Sequence, residues 1–107
     1  MLQESTEVVG EFLRRYSQSG YRPSALFWQG NAQYGAREYT AAIASFRALL
    51  QASPEHARAP EAVLSIANCQ IELKQIPAAK KTLDDLIKAY PQSEAAATAR
   101  ERLPRLR

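Results

Sequence analysis

The sequence predicts an all-α stack of helical hairpins, and three observations carry that expectation. The chain of 107 residues is rich in Ala, Leu, Gln, Glu, Arg and Lys; its six prolines and four glycines punctuate apolar stretches of helical period; and the pattern recurs at an offset of 37 residues. Ala and straight-chain residues lose the least on entering a helix. A repeat means that each unit buries its apolar face against a neighbour. The length suits a single domain, here 1–107, that folds without disulfide or metal staples.

The offset pairs Pro23 with Pro60, Ala25 with Ala62, Asn31 with Asn68, Gln33 with Gln70, Ala41 and Ala42 with Ala78 and Ala79, Leu49 with Leu86, Ala52 with Ala89, and Pro54 with Pro91. Where identity is lost, apolar type is kept: Leu26 with Val63, Tyr34 with Ile71, Phe46 with Leu83, Leu50 with Ile87.

Val9, Phe12, Leu13 and Tyr16 stand 37 residues before Phe46, Leu49, Leu50 and Ser53, so residues 1–17 are expected to be the second helix (helix B) of a partial first repeat. The first full repeat is expected over 23–54. Pro23 suits a first helical turn, where its missing N–H costs nothing, and helix A then runs to about Ala36. Tyr39, Ala42, Ile43, Phe46, Leu49 and Leu50 form one stripe on helix B, which Pro54 ends. The second repeat, 60–91, restates this: helix A from Pro60 to about Lys74, then a helix B whose stripe is Ile76, Ala79, Leu83, Leu86, Ile87 and Tyr90, ended by Pro91. Ser93 can cap a final helix over 93–104. Its Ala95, Ala96, Ala99 and Leu103 would cover the last hairpin while its arginines face water.

One stretch hints at different chemistry. "GNAQYG", residues 30–35, has two glycines at the spacing that opens a phosphate-binding loop, but the Lys and Ser/Thr which that loop requires next are Ala36 and Arg37. Its echo at the 37-residue offset is "ANCQIE", with Ala67 for Gly30 and Glu72 for Gly35. A phosphate cradle would not tolerate that exchange. Close helix packing asks only for a small residue at the first place, so Gly30 is expected to face the helix of Ala42, and Gly35 to loosen a helix end.

A formal charge of +3 is mild, and the surplus gathers in "ARERLPRLR", where Arg100, Arg102, Arg105 and Arg107 crowd together. No basic stripe with interleaved aromatics accompanies it, so no nucleic acid is expected as a partner. No apolar run approaches the ~20 residues of a membrane helix, and "MLQESTEVVGEF" lacks the segments of a signal peptide. Taken literally the chain is soluble and cytosolic, with no membrane insertion. Cys69, the single cysteine, forms no internal disulfide and no cysteine metal site, and His56 lies in the proline-flanked loop as a solvated residue with no serine or cysteine partner by motif. Catalytic, metal and cofactor-binding residues are therefore expected to be none. An enzyme built on Cys69 or His56 is the competing reading. Lys80 with Asp84 and Lys81 with Asp85 are expected as pairs on a wet helix face.

Gly30, Ala42, Phe46 and Pro54, followed by Ala67, Ala79, Leu83 and Pro91, stand at the spacings of the tetratricopeptide repeat, which the chain resembles. That family's usual period is 34, and the three extra residues fit the loop "SPEHARAP". The stretches "SGYRPSALFWQGNAQYGAREYTAAIASFRALL" and "APEAVLSIANCQIELKQIPAAKKTLDDLIKAYPQSEAAATARERL" also resemble the C-terminal repeat domain of the Tol–Pal-associated YbgF/CpoB family of cell division coordinators. Ser17 and Gln29 depart from that family's usual Pro and Leu.

The narrower resemblance implies a periplasmic protein with a cleaved signal peptide and an N-terminal coiled coil that makes the full-length protein a homotrimer. It implies a non-enzymatic adaptor that binds TolA and a penicillin-binding peptidoglycan synthase, coordinating outer-membrane constriction with septal synthesis. The alternative is a generic cytosolic tetratricopeptide-repeat (TPR) scaffold binding a peptide tail. The broader resemblance implies that helices A line a concave groove. Phe27, Asn31 and Tyr34 would then align with Leu64, Asn68 and Ile71, with Glu61 and Glu72 at the edges. Phe27 and Tyr34 would be apolar anchors, and the asparagines would clamp a peptide backbone. Core packing is the alternative role for Tyr34 and Ile71, and simple exposure that for Asn31 and Asn68.

Overall fold

The computed structural model describes residues 22–106, and the expected helix of the partial first repeat lies outside them. Five α-helices follow in order: α1 Arg22–Gly35, α2 Tyr39–Ala52, α3 Ala59–Glu72, α4 Ile76–Ala89 and α5 Glu94–Arg102, then a 3-10 turn Leu103–Arg105. There is no strand among the described residues. Each helix packs on the next, and α3 also touches α5. This is the all-α hairpin stack that the repeat predicts: α1 and α3 are helices A, α2 and α4 helices B, and α5 is the cap.

Both hairpins turn in the same way. Arg37 has φ of 64°, and Lys74, 37 residues later, has the same value. Around Arg37, the Glu38 N–H donates to the Gln33 carbonyl at 2.8 Å and the Arg37 N–H to Tyr34 at 3.0 Å; Gln75 and Lys74 repeat this onto Gln70 and Ile71 at the same distances. These are Schellman closures, in which a left-handed residue lets two N–H groups turn back onto free carbonyls of the last turn. Helix α3 therefore stops at Glu72, before the expected Lys74, because Lys74 is itself the left-handed residue.

The two repeats also share a buried polar pair. Ser45 Oγ on α2 donates to Gln33 Oε1 on α1 at 2.5 Å, and at the 37-residue offset Thr82 Oγ1 on α4 donates to Gln70 Oε1 on α3 at 2.6 Å. Each bond joins helix A to helix B inside one hairpin. No buried side-chain polar atom is unpartnered among the described residues, as burial requires.

Apolar packing around these bonds falls into two groups. Leu26, Phe27, Ile43, Phe46, Leu49 and Ile66 lead the first, and Ala67, Leu83, Leu86, Ala95 and Ala99 the second. Phe46 is fully buried and meets Phe27 edge-on, with ring centroids 6.0 Å apart. A Cβ on Gly30 would stand 2.6 Å from the Phe46 ring, so Gly30 is what admits that ring. In the second repeat Leu83 replaces Phe46, and Ala67 fits where glycine was needed before. Tyr90 links the hairpins: its hydroxyl donates to the Pro54 carbonyl at 2.6 Å.

The cap forms as expected at its start, where the Ala96 N–H donates to Ser93 Oγ at 3.0 Å. Its end differs: Pro104 sits inside the 3-10 turn rather than beyond a helix reaching it. Its described arginines are exposed, and two of them also make surface contacts. Arg100 donates to the Pro91 carbonyl at 2.9 Å, and Arg102 donates to Asn68 Oδ1 on α3. On α4, Lys81 pairs with Asp85 at 3.0 Å, but Asp84 turns to Lys88 at 2.9 Å instead of to Lys80. Asp84 followed by Lys88 runs carboxylate first, the orientation that the helix dipole favours.

Candidate functional site: the face shared by the A helices

Trp28, Asn31 and Gly35 recur at three and four residues on α1, and their offset partners Ser65, Asn68 and Glu72 do the same on α3. Side chains at this spacing share one helix face. All six are exposed or partly exposed, so the A helices present two parallel stripes to solvent. Trp28 dominates the first. At 55% exposure it is the large hydrophobic residue that the described fold leaves open.

The surroundings of Trp28 are ordered by a cation. The Arg58 guanidinium lies 5.8 Å from the Trp28 ring centroid and 5.4 Å from that of Phe27. Trp28 and Phe27 meet edge-on at 5.3 Å. Arg58 also reaches the Glu61 carboxylate at 3.1 Å. A guanidinium over an aromatic face is attracted by the ring quadrupole, and Glu61 holds it there. Glu61, expected at an edge of the groove, is thus paired with Arg58.

The other expected groove residues differ in what they contact. Phe27 is a correction: at 5% exposure it is core, packed against Phe46, and the neighbouring Trp28 is the open aromatic. Tyr34 and Leu64 are half-buried, Tyr34 edge-on to Tyr39 at 5.4 Å and Leu64 packed on the second core group. Asn31, Ile71 and Glu72 keep exposed surface. Asn68 accepts from Arg102, so its carbonyl oxygen is engaged and its amide donors face outward from that bond. Burial raises the Tyr34 hydroxyl's pKa, and the Glu72 carboxylate pushes in the same direction.

Trp28 carried no repeat signal, because its offset partner is Ser65. A helical-wheel comparison of α1 with its own core residues would have found it, one position beyond Phe27. The Arg102–Asn68 contact left no trace in the spacing, since it depends on the angle at which the cap crosses α3.

The two residues of the competing enzyme reading, His56 and Cys69, are both held in structural contacts. His56 is not simply solvated: it is half-buried, with Nε2 3.2 Å from Ser24 Oγ, while its Nδ1 accepts the Arg58 backbone N–H at 3.0 Å. A backbone N–H can only donate, so in the neutral ring the proton sits on Nε2 and is directed at Ser24. A base activating Ser24 would need a free lone pair on that nitrogen; here the imidazole ties α1 to the start of α3. Cys69 is fully buried, and burial pushes its thiol up to about 11. Near neutral pH it is a neutral packing group. No cluster of three or more His, Cys, Asp or Glu side chains able to hold a metal occurs among the described residues.

No curated protein matches the chain in sequence. Two tetratricopeptide-repeat family profiles do, one over residues 33–103 and one over residues 4–57. The first alone covers more than half of the chain, and both described hairpins contribute to it. The chain belongs to the tetratricopeptide-repeat family and is a protein–protein interaction domain.

Proposed function

We propose that this chain is a non-enzymatic adaptor that receives a partner protein on the A-helix face, with Trp28 as the anchor and Asn31, Asn68 and Glu72 as the polar surround. The observation that carries this reading is the exposed Trp28 held by Arg58. An aromatic ring fixed before binding loses little entropy on contact, and such residues supply much of the energy of protein interfaces. Half-buried Tyr34 adds apolar area beside it, while the outward amide donors of Asn68 meet backbone carbonyls.

The finer reading is an adaptor of the Tol–Pal system in the periplasm, coupling outer-membrane constriction to septal peptidoglycan synthesis. Its support is the resemblance of residues 19–50 and 59–103 to the repeat domain of cell division coordinators. The test is biolayer interferometry of the purified chain against the periplasmic part of TolA and against a penicillin-binding peptidoglycan synthase. Saturable binding to either, weakened about tenfold by Trp28→Ala as expected for a buried aromatic anchor, supports both levels of the reading. Absence of binding to both removes the Tol–Pal assignment. Binding that ignores Trp28→Ala and Asn31→Ala removes the A-helix face as the site.

A further inference from the structure

The opposite side of the stack carries a second surface. Helices α2 and α4 are separated by α3, whose Val63 and Ile66 line the floor between them. Leu50 of α2 and Ala89 of α4 form the walls of a cleft of about 300 Å³, and Tyr90 closes its end, pinned by its bond to Pro54. A neighbouring cleft of about 270 Å³ opens toward the other end of α2, where Ile43, Ala44 and Leu73 share the lining with the polar Thr40, Gln70 and Gln75. Arg47 lines both, exposed at the point where they adjoin.

Two features of this surface set its chemistry. Each cleft has the volume for one large apolar side chain. Between them stands a cation with no carboxylate partner among the described residues; Asp85 at the rim pairs with Lys81 at 3.0 Å. From Thr40 to Leu50 along α2 is roughly 15 Å at the helical rise, and five extended residues span about that length. In an extended chain the first, third and fifth side chains point the same way. We propose that this groove docks an extended segment of a partner protein with the pattern apolar–x–acidic–x–apolar, its two apolar side chains in the clefts and its carboxylate on Arg47.

This surface is separate from the Trp28 face, so the two assignments fail independently. The test is an array of immobilised pentapeptides of that pattern, with Asp or Glu at the centre, probed with the whole chain. Matched arrays carry Asn or Gln at the centre. The expected result is binding by the acidic peptides, weakened about tenfold in the amide series and by Arg47→Glu, in keeping with loss or reversal of one partly desolvated ion pair, and unchanged by Trp28→Ala. Arg47 is an exposed mid-helix position, so its replacement leaves the fold intact; circular dichroism verifies this. No binding by any acidic peptide overturns the proposal. So does binding indifferent to Arg47→Glu, or binding lost with Trp28→Ala.

Discussion

Gly30 and Phe46 are one decision made twice. The Phe46 ring is fully buried and braced edge-on by Phe27, and it occupies the space where a Cβ on residue 30 would lie. Gly30→Ala is therefore expected to destabilise the fold by about 1–3 kcal/mol through overpacking. The second repeat shows the other solution, Ala67 with Leu83. The double variant Gly30→Ala, Phe46→Leu recreates that pair and should be more stable than the sum of its parts by about 1 kcal/mol or more. Gly35 provides the contrast, since nothing lies within 4 Å of a Cβ there. Gly35→Ala should stabilise by about 0.5–1 kcal/mol through helix propensity alone. Urea denaturation of the unsubstituted chain, Gly30→Ala, Phe46→Leu, their double variant and Gly35→Ala checks this. Additive behaviour of the Gly30 and Phe46 changes would show that the two sites are not sterically coupled.

The helices end where the chain turns left-handed, at residues poorly suited to it. Arg37 and Lys74 both hold φ near +64° on exposed positions, a geometry that costs a residue with a Cβ about 1–2 kcal/mol. Glycine there loses that strain but starts from a freer unfolded chain. Arg37→Gly and Lys74→Gly should each stabilise by about 0.5–1 kcal/mol and should add, because they lie in separate hairpins. Thermal melts of the single and double variants measure it; a fall in melting temperature would show that either side chain contributes more than its backbone costs. These turns also mark the limit of what could be read from the chain. Pro54, Pro91 and Ser93 announce their helix boundaries through fixed chemistry, and the stripes of α2 and α4 announce their buried faces. A Schellman turn built on Arg or Lys instead of Gly announces nothing, so α3 ends two residues before the expected place. The expectation of Phe27 as a groove anchor meets a different limit. Spacing shows that two aromatics adjoin, but only the packing of Phe46 decides which one turns inward and leaves Trp28 outside.

Stability of the whole stack depends on how its last face is closed. Ala95 and Ala99 of α5 lie on Leu83, Leu86 and Ala67, and the Arg102 contact to Asn68 adds a polar clasp from the same helix. In a linear array each hairpin is stabilised by its neighbours, so losing the cap should weaken α4 first and α1 last. Ala99→Asp places a carboxylate at a fully buried position with no cation provided for it. An unpaired buried charge costs several kcal/mol unless the helix carrying it moves into water, and α5 is held by a small apolar area that cannot resist this. The expected outcome is a stack with α5 undocked, a melting temperature lower by roughly 10 °C, and amide exchange graded along the chain: fast in α5, accelerated in α4, least changed in α1 and α2. Hydrogen exchange resolved by helix reads that gradient directly. Uniform acceleration across α1–α4 would instead make the described fold one cooperative unit, with the Tyr90–Pro54 bond coupling the hairpins more tightly than nearest-neighbour stacking requires.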